Sequence, residues 1–168
     1  MTSLVIDVRP ARGSDASELA DVYASAWREA YAGIIPALTL ERMIVRRGST
    51  WWRDIMRKRA ILVLDVDGVV AGYASFAPAA GRGRTGAAEI QELYLRPEYQ
   101  GLGLGARLFG AAMKRIRSRG YGRVLVRALV ENDRANGFYL RRGGRMIART
   151  DESLGGRTLP CLWYEFRA

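Results

Sequence analysis

The chain has no histidine and a single cysteine, and both scarcities narrow the chemistry available to it. Without histidine, neither a His-dependent catalytic triad nor a zinc site of the usual Cys/His type can be assembled. Cys161 has no second cysteine to pair with, so an internal disulfide is excluded. No apolar run approaches the roughly 18 residues that a membrane-spanning helix needs, and Asp7 and Arg9 interrupt the apolar start, unlike a secretory signal. We expect a cytoplasmic protein that binds neither metal nor membrane.

Acidic residues are also scarce relative to basic ones. Lysine and arginine number 27 against 17 acidic residues, which gives a net charge of +10, and Lys58 and Lys114 are the only lysines. Such a balance suits an anionic partner such as nucleic acid, a membrane surface or a phosphorylated cofactor, but an arginine-rich solvated surface has the same composition. With 168 residues of which 49% are hydrophobic, residues 1–168 are predicted to form one domain.

The spacing of apolar residues predicts a mixed α/β fold with the element order βααα, ββ, βα, βα, ββ. The expected helix caps are a capping box of Asp15 with Glu18, and the single residues Thr39 and Ser49. The expected hairpin turn is Asp67-Gly68. The predicted strands are 4–9, a hairpin over 60–77, 87–95, 123–130 and two strands after Gly144, and the predicted helices are 15–31, 39–46, 49–59, 103–119 and 133–142.

The segment "LRPEYQGLGLGARLF" (95–109) places three glycines at alternate positions just before a helix. Glycines let the backbone pass close to a ligand, and the helix start offers unpaired N–H groups, so a phosphate is the expected guest. Gly101-x-Gly103-x-x-Ala106 also satisfies a dinucleotide fingerprint, with Glu131 as its ribose-binding acid. Residues 96–100 separate the strand from the first glycine, however, and no Gly-Lys-Ser/Thr of a P-loop follows. The alternative is a glycine turn that binds no ligand.

Two blocks carry a family resemblance. "LYLRPEYQGLGLGARL" resembles the acyl-CoA signature of the GNAT superfamily of N-acetyltransferases, with Gln100, Gly103 and Gly105 at the matching positions. "ENDRANGFYLRRGG" (131–144) is similar to the family's later Asn-x-x-Ala-x-x-Phe-Tyr segment. The resemblance implies an α/β (α+β) fold with a mixed, largely antiparallel central sheet flanked by helices. It also implies acetyl transfer from acetyl-CoA, without a metal, to a primary amine of a small molecule by direct attack on the thioester.

The resemblance also assigns roles to residues around the two blocks. Tyr139 matches the tyrosine that protonates the CoA thiolate in many members, although a core tyrosine packed beside Phe138 is the alternative. Asn132 could cap its helix or bind the cofactor. The remaining cofactor-binding positions would be the backbone of Leu93 and Leu95, which faces the pantetheine arm, and the turn formed by Gln100, Gly101, Gly103, Gly105 and Ala106.

The general base has two candidates on the strand before the turn. Glu89 matches an acidic strand position that some members use as base, and Glu92 is the reserve. Strict alternation puts the two carboxylates on opposite faces unless a bulge intervenes. Four arginines lie near enough in sequence to the two blocks to neutralise CoA phosphates, and the sequence does not choose among Arg96, Arg107, Arg134 and Arg141.

The acceptor is the least determined part. "AWREAYAGIIP" (26–36) is similar to bacterial members of which some acetylate polyamines, and a polyamine would be attracted by carboxylates if Glu29, Glu41, Asp151 and Glu152 converge. Protein N-termini or lysines as acceptors, and a domain that binds acyl-CoA without turnover, are alternatives. A nucleic-acid partner is disfavoured, because Trp51 and Trp52 are the aromatics adjacent to a basic run. A homodimer is compatible with the resemblance.

Overall fold

Seven strands form one sheet in the computed structural model, which describes residues 3–81 and 83–168. The strand order is β1-β2-β3-β4-β5-β7-β6, and only β4 and β5 run parallel, so the expected mixed and largely antiparallel fold is confirmed. The elements are β1 (Ile6–Pro10), α1 (Ala16–Tyr31), α2 (Ala37–Arg46), α3 (Ser49–Ile55), β2 (Ala60–Val66), β3 (Val69–Pro78), β4 (Ala87–Leu95), α4 (Leu104–Ser118), β5 (Arg123–Leu129), α5 (Asp133–Arg141), β6 (Arg145–Leu154) and β7 (Arg157–Arg167).

The start of α1 differs from the expected capping box. Asp15 does precede the helix, but its carboxylate accepts hydrogen bonds from Arg9 at 2.9 and 3.0 Å and from the Arg12 backbone N–H at 2.7 Å. Glu18 accepts instead from the backbone N–H of Val70 at 2.9 Å. Both acids therefore hold α1 against the first strands of the sheet, and the predicted capping box does not form because Arg9, Val70 and the Arg12 N–H occupy the carboxylate oxygens.

The other two predicted caps were also wrong. Helix α2 begins at Ala37, directly after Pro36, so Thr39 lies inside its first turn. Gly48 precedes α3, and Ser49 is the first residue of that helix. No side chain caps the start of α3. The hairpin turn was predicted correctly, since Asp67 and Gly68 have φ values of 51° and 85°, as a two-residue turn between antiparallel strands requires.

Two apolar layers cover the two faces of the sheet. Helix α4 buries the predicted stripe of Leu104, Leu108, Ala112 and Ile116 on one face. Helices α1, α2 and α3 cover the other face with a layer rich in aromatic rings, which includes Tyr23, Trp27, Trp52 and Tyr73. The sheet therefore separates an α4–α5 side from an α1–α3 side.

A bulge in β4 changes which side its residues face. Ser75 of β3 pairs with Glu92, whereas the next residue, Phe76, pairs with Ile90, so Gln91 is an extra residue on β4. Ile90 packs into the α4 layer, which places Glu89 on the opposite side, and Glu92 contacts groups of the α1–α3 layer. The two carboxylates therefore lie on the same side, because the bulge that would break strict alternation is present and shifts it by one residue.

The same strand separates from its parallel neighbour. β4 pairs with β5 from Ala87 opposite Arg123 to Ile90 opposite Val126, and the pairing stops there although both strands continue. The backbone of β4 beyond the bulge is therefore free of β5, and the two strands open a gap in the middle of the sheet.

Candidate active site

A cavity of about 880 Å³ lies where β4 and β5 separate. Its walls come from α1, the end of β4, the glycine turn before α4, and the segment from the end of β5 through α5. The lining residues include Ala26, Glu29 and Ala30 of α1, Leu93, Tyr94 and Leu95 of β4, Gln100, Gly101, Gly103, Gly105 and Ala106 of the turn, and Asn132, Arg134, Ala135, Phe138, Tyr139, Arg141 and Arg142. All eight positions expected to bind the cofactor, together with Tyr139, line this one cavity.

The glycine turn has the conformation that only glycine adopts easily. Gly101 and Gly103 both have φ of 77°, and Gly103 immediately precedes α4. Gly105 lies in the first turn of α4, where a Cβ would come within 3.3 Å of Phe138 Cε2. The turn therefore presents the positive end of a 15-residue helix to the cavity, which is the geometry of an anion site.

A carboxylate shares this anion site. Glu29 of α1 accepts a hydrogen bond from Arg134 Nη1 at 3.0 Å and one from Gln100 Nε2 at 3.3 Å. Gln100 Nε2 also donates to the Leu95 carbonyl at 3.3 Å. Glu29 thus connects α1 to α5 across the cavity. It also forms an ion pair with Arg134, which lines the same cavity.

Tyr139 both packs in the core and lines the cavity. Its ring is 6% exposed and packs among Phe109, Tyr164 and Phe166 of the α4–α5 side, while the residue lines the cavity. Burial raises the pKa of its hydroxyl above the ordinary value, so the group stays protonated at neutral pH. Tyr139 is therefore a cavity-lining residue whose hydroxyl is protonated.

Asn132 likewise serves as a cap and as part of the wall. Its side chain accepts a hydrogen bond from the Ala135 backbone N–H at 3.2 Å, which caps α5, and the residue lines the cavity. Ala135 and Tyr139 follow on the same helical face and line it too.

The arginines divide into two groups. Arg134 and Arg141 line the cavity, whereas Arg107 donates to the Ile6 carbonyl at 2.9 Å and is not among the lining residues. Arg96 also lies outside the cavity and donates to the Val70 carbonyl at 2.8 Å. Arg142, which sequence reasoning missed, lines the cavity with its guanidinium 3.9 Å from the centre of the Phe138 ring. Its position at the end of α5, next to Arg141, was the available signal.

Neither candidate base belongs to the cavity wall. Glu92 is 7% exposed and accepts two contacts from Arg47 Nη1, at 2.8 and 2.7 Å, and one from the Tyr73 hydroxyl at 3.2 Å. Glu89 is half-buried, and burial raises its pKa while the nearby Arg127 and Arg84 oppose the rise. Glu92 is therefore engaged in an ion pair, whereas burial favours the neutral form of the Glu89 carboxyl.

The four carboxylates considered for a cationic acceptor do not converge. Glu29 lies in the cavity, but Glu41 pairs with Arg28 at 2.8 Å on an exposed surface of α1 and α2. Glu152 of β6 pairs with Arg127 at 2.5 Å. Asp151, the next residue along β6, is exposed, and neither it nor Glu152 lines the cavity. Glu29, Glu41 and Glu152 are each already paired with an arginine.

The tryptophans do not form an exposed platform for nucleic-acid bases. Trp52 is 1% exposed, and Trp51 packs its ring against Trp52 and the Arg47 guanidinium. Over residues 3–81 and 83–168, no helix is long and apolar enough to cross a membrane.

Comparison with known proteins points to one family. The profile of the acetyltransferase (GNAT) family matches residues 19–144. YuaI, an uncharacterized N-acetyltransferase of Bacillus subtilis, is 27% identical over 128 residues, which are 76% of this chain and 74% of YuaI.

Two solved structures share the fold. PaiA N-acetyltransferase of Thermoplasma acidophilum, solved in complex with coenzyme A, superposes with a TM-score of 0.80 at 21% identity over 98% of this chain and 99% of PaiA. YncA of Salmonella typhimurium, solved with its cofactor acetyl-CoA, gives a TM-score of 0.71 at 21% identity over 96% of this chain and 93% of YncA. Since the family profile covers most of the chain, including both sequence blocks and the cavity they line, the chain belongs to the GNAT family of acetyltransferases.

Proposed function

We propose that this acetyltransferase moves the acetyl group of acetyl-CoA to a primary amine of a small molecule by direct attack of the amine on the thioester. The observation that carries the proposal is the single cavity that holds both the glycine turn at the start of α4 and the protonated hydroxyl of Tyr139. An anion site and a proton donor in one cavity are what a CoA thioester reaction needs at its two ends.

The residues of the cavity fit the cofactor along its length. The backbone N–H groups between Gln100 and Ala106 would hold the pyrophosphate, as a helix start does for phosphates generally. Arg134, Arg141 and Arg142 supply the cations for the remaining phosphate charge. Beyond the bulge β4 makes no ladder bonds to β5, so the backbone groups that pair with neither β3 nor Gln100 can pair with the amide-containing pantetheine arm. The complexes of PaiA with coenzyme A and of YncA with acetyl-CoA support this reading.

The chain's own groups can manage the protons of the reaction. Bound acetyl-CoA supplies the thioester carbonyl that the amine attacks. An amine attacks only when neutral, so a base has to remove the ammonium proton, and we assign this role to Glu89, directly or through water. The Tyr139 hydroxyl donates the proton that the departing thiolate needs. Glu92 is the less suitable base because Arg47 holds its carboxylate.

Product analysis with a panel of amines tests the proposal. The enzyme is incubated with acetyl-CoA and a polyamine, an amino acid, an aminoglycoside or an N-terminal peptide, and free CoA thiol and acetylated amine are both quantified. We expect equal amounts of the two products with at least one small amine. Activity with the peptide alone would support acetylation of protein N-termini, and cofactor binding without any turnover would support a non-catalytic domain. The cytoplasmic location, the single domain over 1–168 and a homodimer remain predictions.

A further inference from the structure

Arg47 lies in a slot between aromatic rings on the α1–α3 side of β4. Its guanidinium carbon is 4.4 Å from the centre of the Tyr23 ring and 4.3 Å from that of Trp51, with Trp27 at 5.8 Å. Glu92 closes the inner end of the slot. The side chain of Arg47 is 21% exposed, so the slot opens outward.

The ion pair uses only part of the guanidinium. Both Glu92 oxygens contact the same nitrogen, Nη1, at 2.8 and 2.7 Å. Within the described part of the chain, Nε and Nη2 of Arg47 have no hydrogen-bond partner, and neither is among the fully buried unpaired atoms. In structural arginine–carboxylate pairs, the carboxylate commonly bonds two guanidinium nitrogens at once. Glu92 bonds only Nη1, so Nε and Nη2 of Arg47 stay available for another carboxylate. Buried ion pairs are also weak contributors to stability, so packing alone is a poor reason for this arrangement.

The layer and strand pair that hold Arg47 and Glu92 contain unpaired hydrogen-bond donors. Three buried donor atoms there have no partner among residues 3–81 and 83–168, namely Trp27 Nε1, Trp52 Nε1 and Ser75 Oγ. Trp27 and Trp52 belong to the aromatic layer around Arg47, and Ser75 is the cross-strand partner of Glu92. Unpaired buried donors are rare in proteins and usually mark a missing partner.

The slot also lies where an acceptor has to approach. Leu93 and Leu95 pack toward the α4 side and line the cofactor cavity, while Glu92 points to the α1–α3 side. A pantetheine arm along β4 leaves that second side for the amine. Trp27 lies beside Arg47, and its ring centre is 6.3 Å from that of Tyr94, which lines the cavity, so two aromatic residues connect the slot to the cavity.

We infer that the acceptor of this enzyme carries a carboxylate, and that the free edge of Arg47 binds it while the amine reaches the thioester. The inference rests on the proposed acetyltransferase function and narrows its substrate class to aminocarboxylates. The planar two-oxygen shape of a carboxylate matches the two nitrogens that Glu92 leaves free. Arg47 is then a specificity-determining residue, and a polyamine, which has no anionic group, is a poor acceptor.

Pairs of acceptors that differ only in the carboxylate test this. L-lysine, L-lysinamide and cadaverine share one amine chain, and L-phenylalanine with 2-phenylethylamine and L-leucine with 3-methylbutylamine extend the set. For the wild-type enzyme we expect at least one free amino acid to have a kcat/KM about 10- to 100-fold above its amide or decarboxylated counterpart, the worth of one charge-assisted contact. Equal or better activity of the counterparts, or of an N-terminal peptide, overturns the inference and leaves the acetyltransferase proposal standing. Binding of CoA without acetylation of any amine overturns both.

Arg47→Lys supplies the second arm, because it keeps the charge beside Glu92 and removes the fork. We expect KM for the preferred amino acid to rise about 10- to 100-fold, with kcat and KM for acetyl-CoA changed little. Arg59→Lys is the matched control, since it alters an arginine on the same Trp51 ring, and it should leave KM within about 3-fold. If Arg47→Lys lowers activity toward the amino acid and toward its decarboxylated counterpart by the same factor, Arg47 has only a structural role. Should the variant fail to fold, as circular dichroism would show, the wild-type acceptor pairs decide the question.

Discussion

A charge placed in the glycine turn should remove cofactor binding while leaving the fold intact, and Gly103 is the position where the two effects separate best. A Cβ at Gly103 would meet no atom within 4 Å, so a substitution there causes no clash. Its φ of 77° lies in the left-handed region, which asparagine and aspartate visit more readily than other non-glycine residues. Either substitution should therefore cost about 1 kcal/mol of stability.

The two substitutions differ only in charge. Two like charges about 5 Å apart repel by about 3 kcal/mol at an effective dielectric constant of about 20, which sets the scale for a carboxylate on residue 103 facing a phosphate. We therefore expect Gly103→Asp to weaken CoA binding on the order of 100-fold or more, and Gly103→Asn by less than about 10-fold. Calorimetric titration with CoA measures both constants, and circular dichroism checks the fold. Equal affinities of the Asp and Asn variants would refute the assignment of the turn as the phosphate site.

Three further substitutions test the other groups of the site. Tyr139→Phe should lower kcat by about 10- to 1,000-fold with little change in KM for acetyl-CoA, because it removes the proton donor; a full kcat would make Tyr139 a packing residue only. Because burial raises the pKa of Glu89 and a base must be ionised, wild-type kcat/KM should fall as pH falls through that raised pKa. Glu89→Gln should abolish this acidic limb of the pH profile, and loss of the limb only in Glu92→Gln would transfer the role. Glu29→Gln should tighten CoA binding about 2- to 5-fold, since it frees Arg134 from an exposed ion pair, and weaker binding in calorimetry would show that Glu29 does not compete with the cofactor.

The features that could be predicted from the sequence are those set by neighbouring residues. Strand β4 spans residues 87–95 as predicted, because its apolar alternation and its bounds are local. The glycines at 101, 103 and 105 fixed the turn for the same reason, since their conformations and the following helix need no distant partner. The cavity that these positions line was therefore foreseeable.

The features that sequence reasoning missed depend on contacts between distant segments. The bulge at Gln91 arises from the register between β3 and β4, and alternation along β4 alone gives the wrong face for Glu92. The contact of Arg47 with Glu92 joins residues 45 positions apart, so no local pattern indicated it. Arg107 lies four residues after Gly103 yet reaches the Ile6 carbonyl, because proximity in sequence does not set the direction of a side chain.

Thiol release with and without an amine distinguishes direct attack by the amine from transfer through an acetylated enzyme. The buried Cys161, whose pKa is raised by burial, is a poor nucleophile for the second route. Enzyme and acetyl-CoA are mixed at comparable concentrations, first alone and then with an acceptor identified from the amine panel. Direct attack predicts no burst of CoA thiol without the amine, and one thiol released per acetylated amine once the amine is added. A thiol burst before the amine is added, together with an acetylated protein seen by intact mass spectrometry, would contradict it.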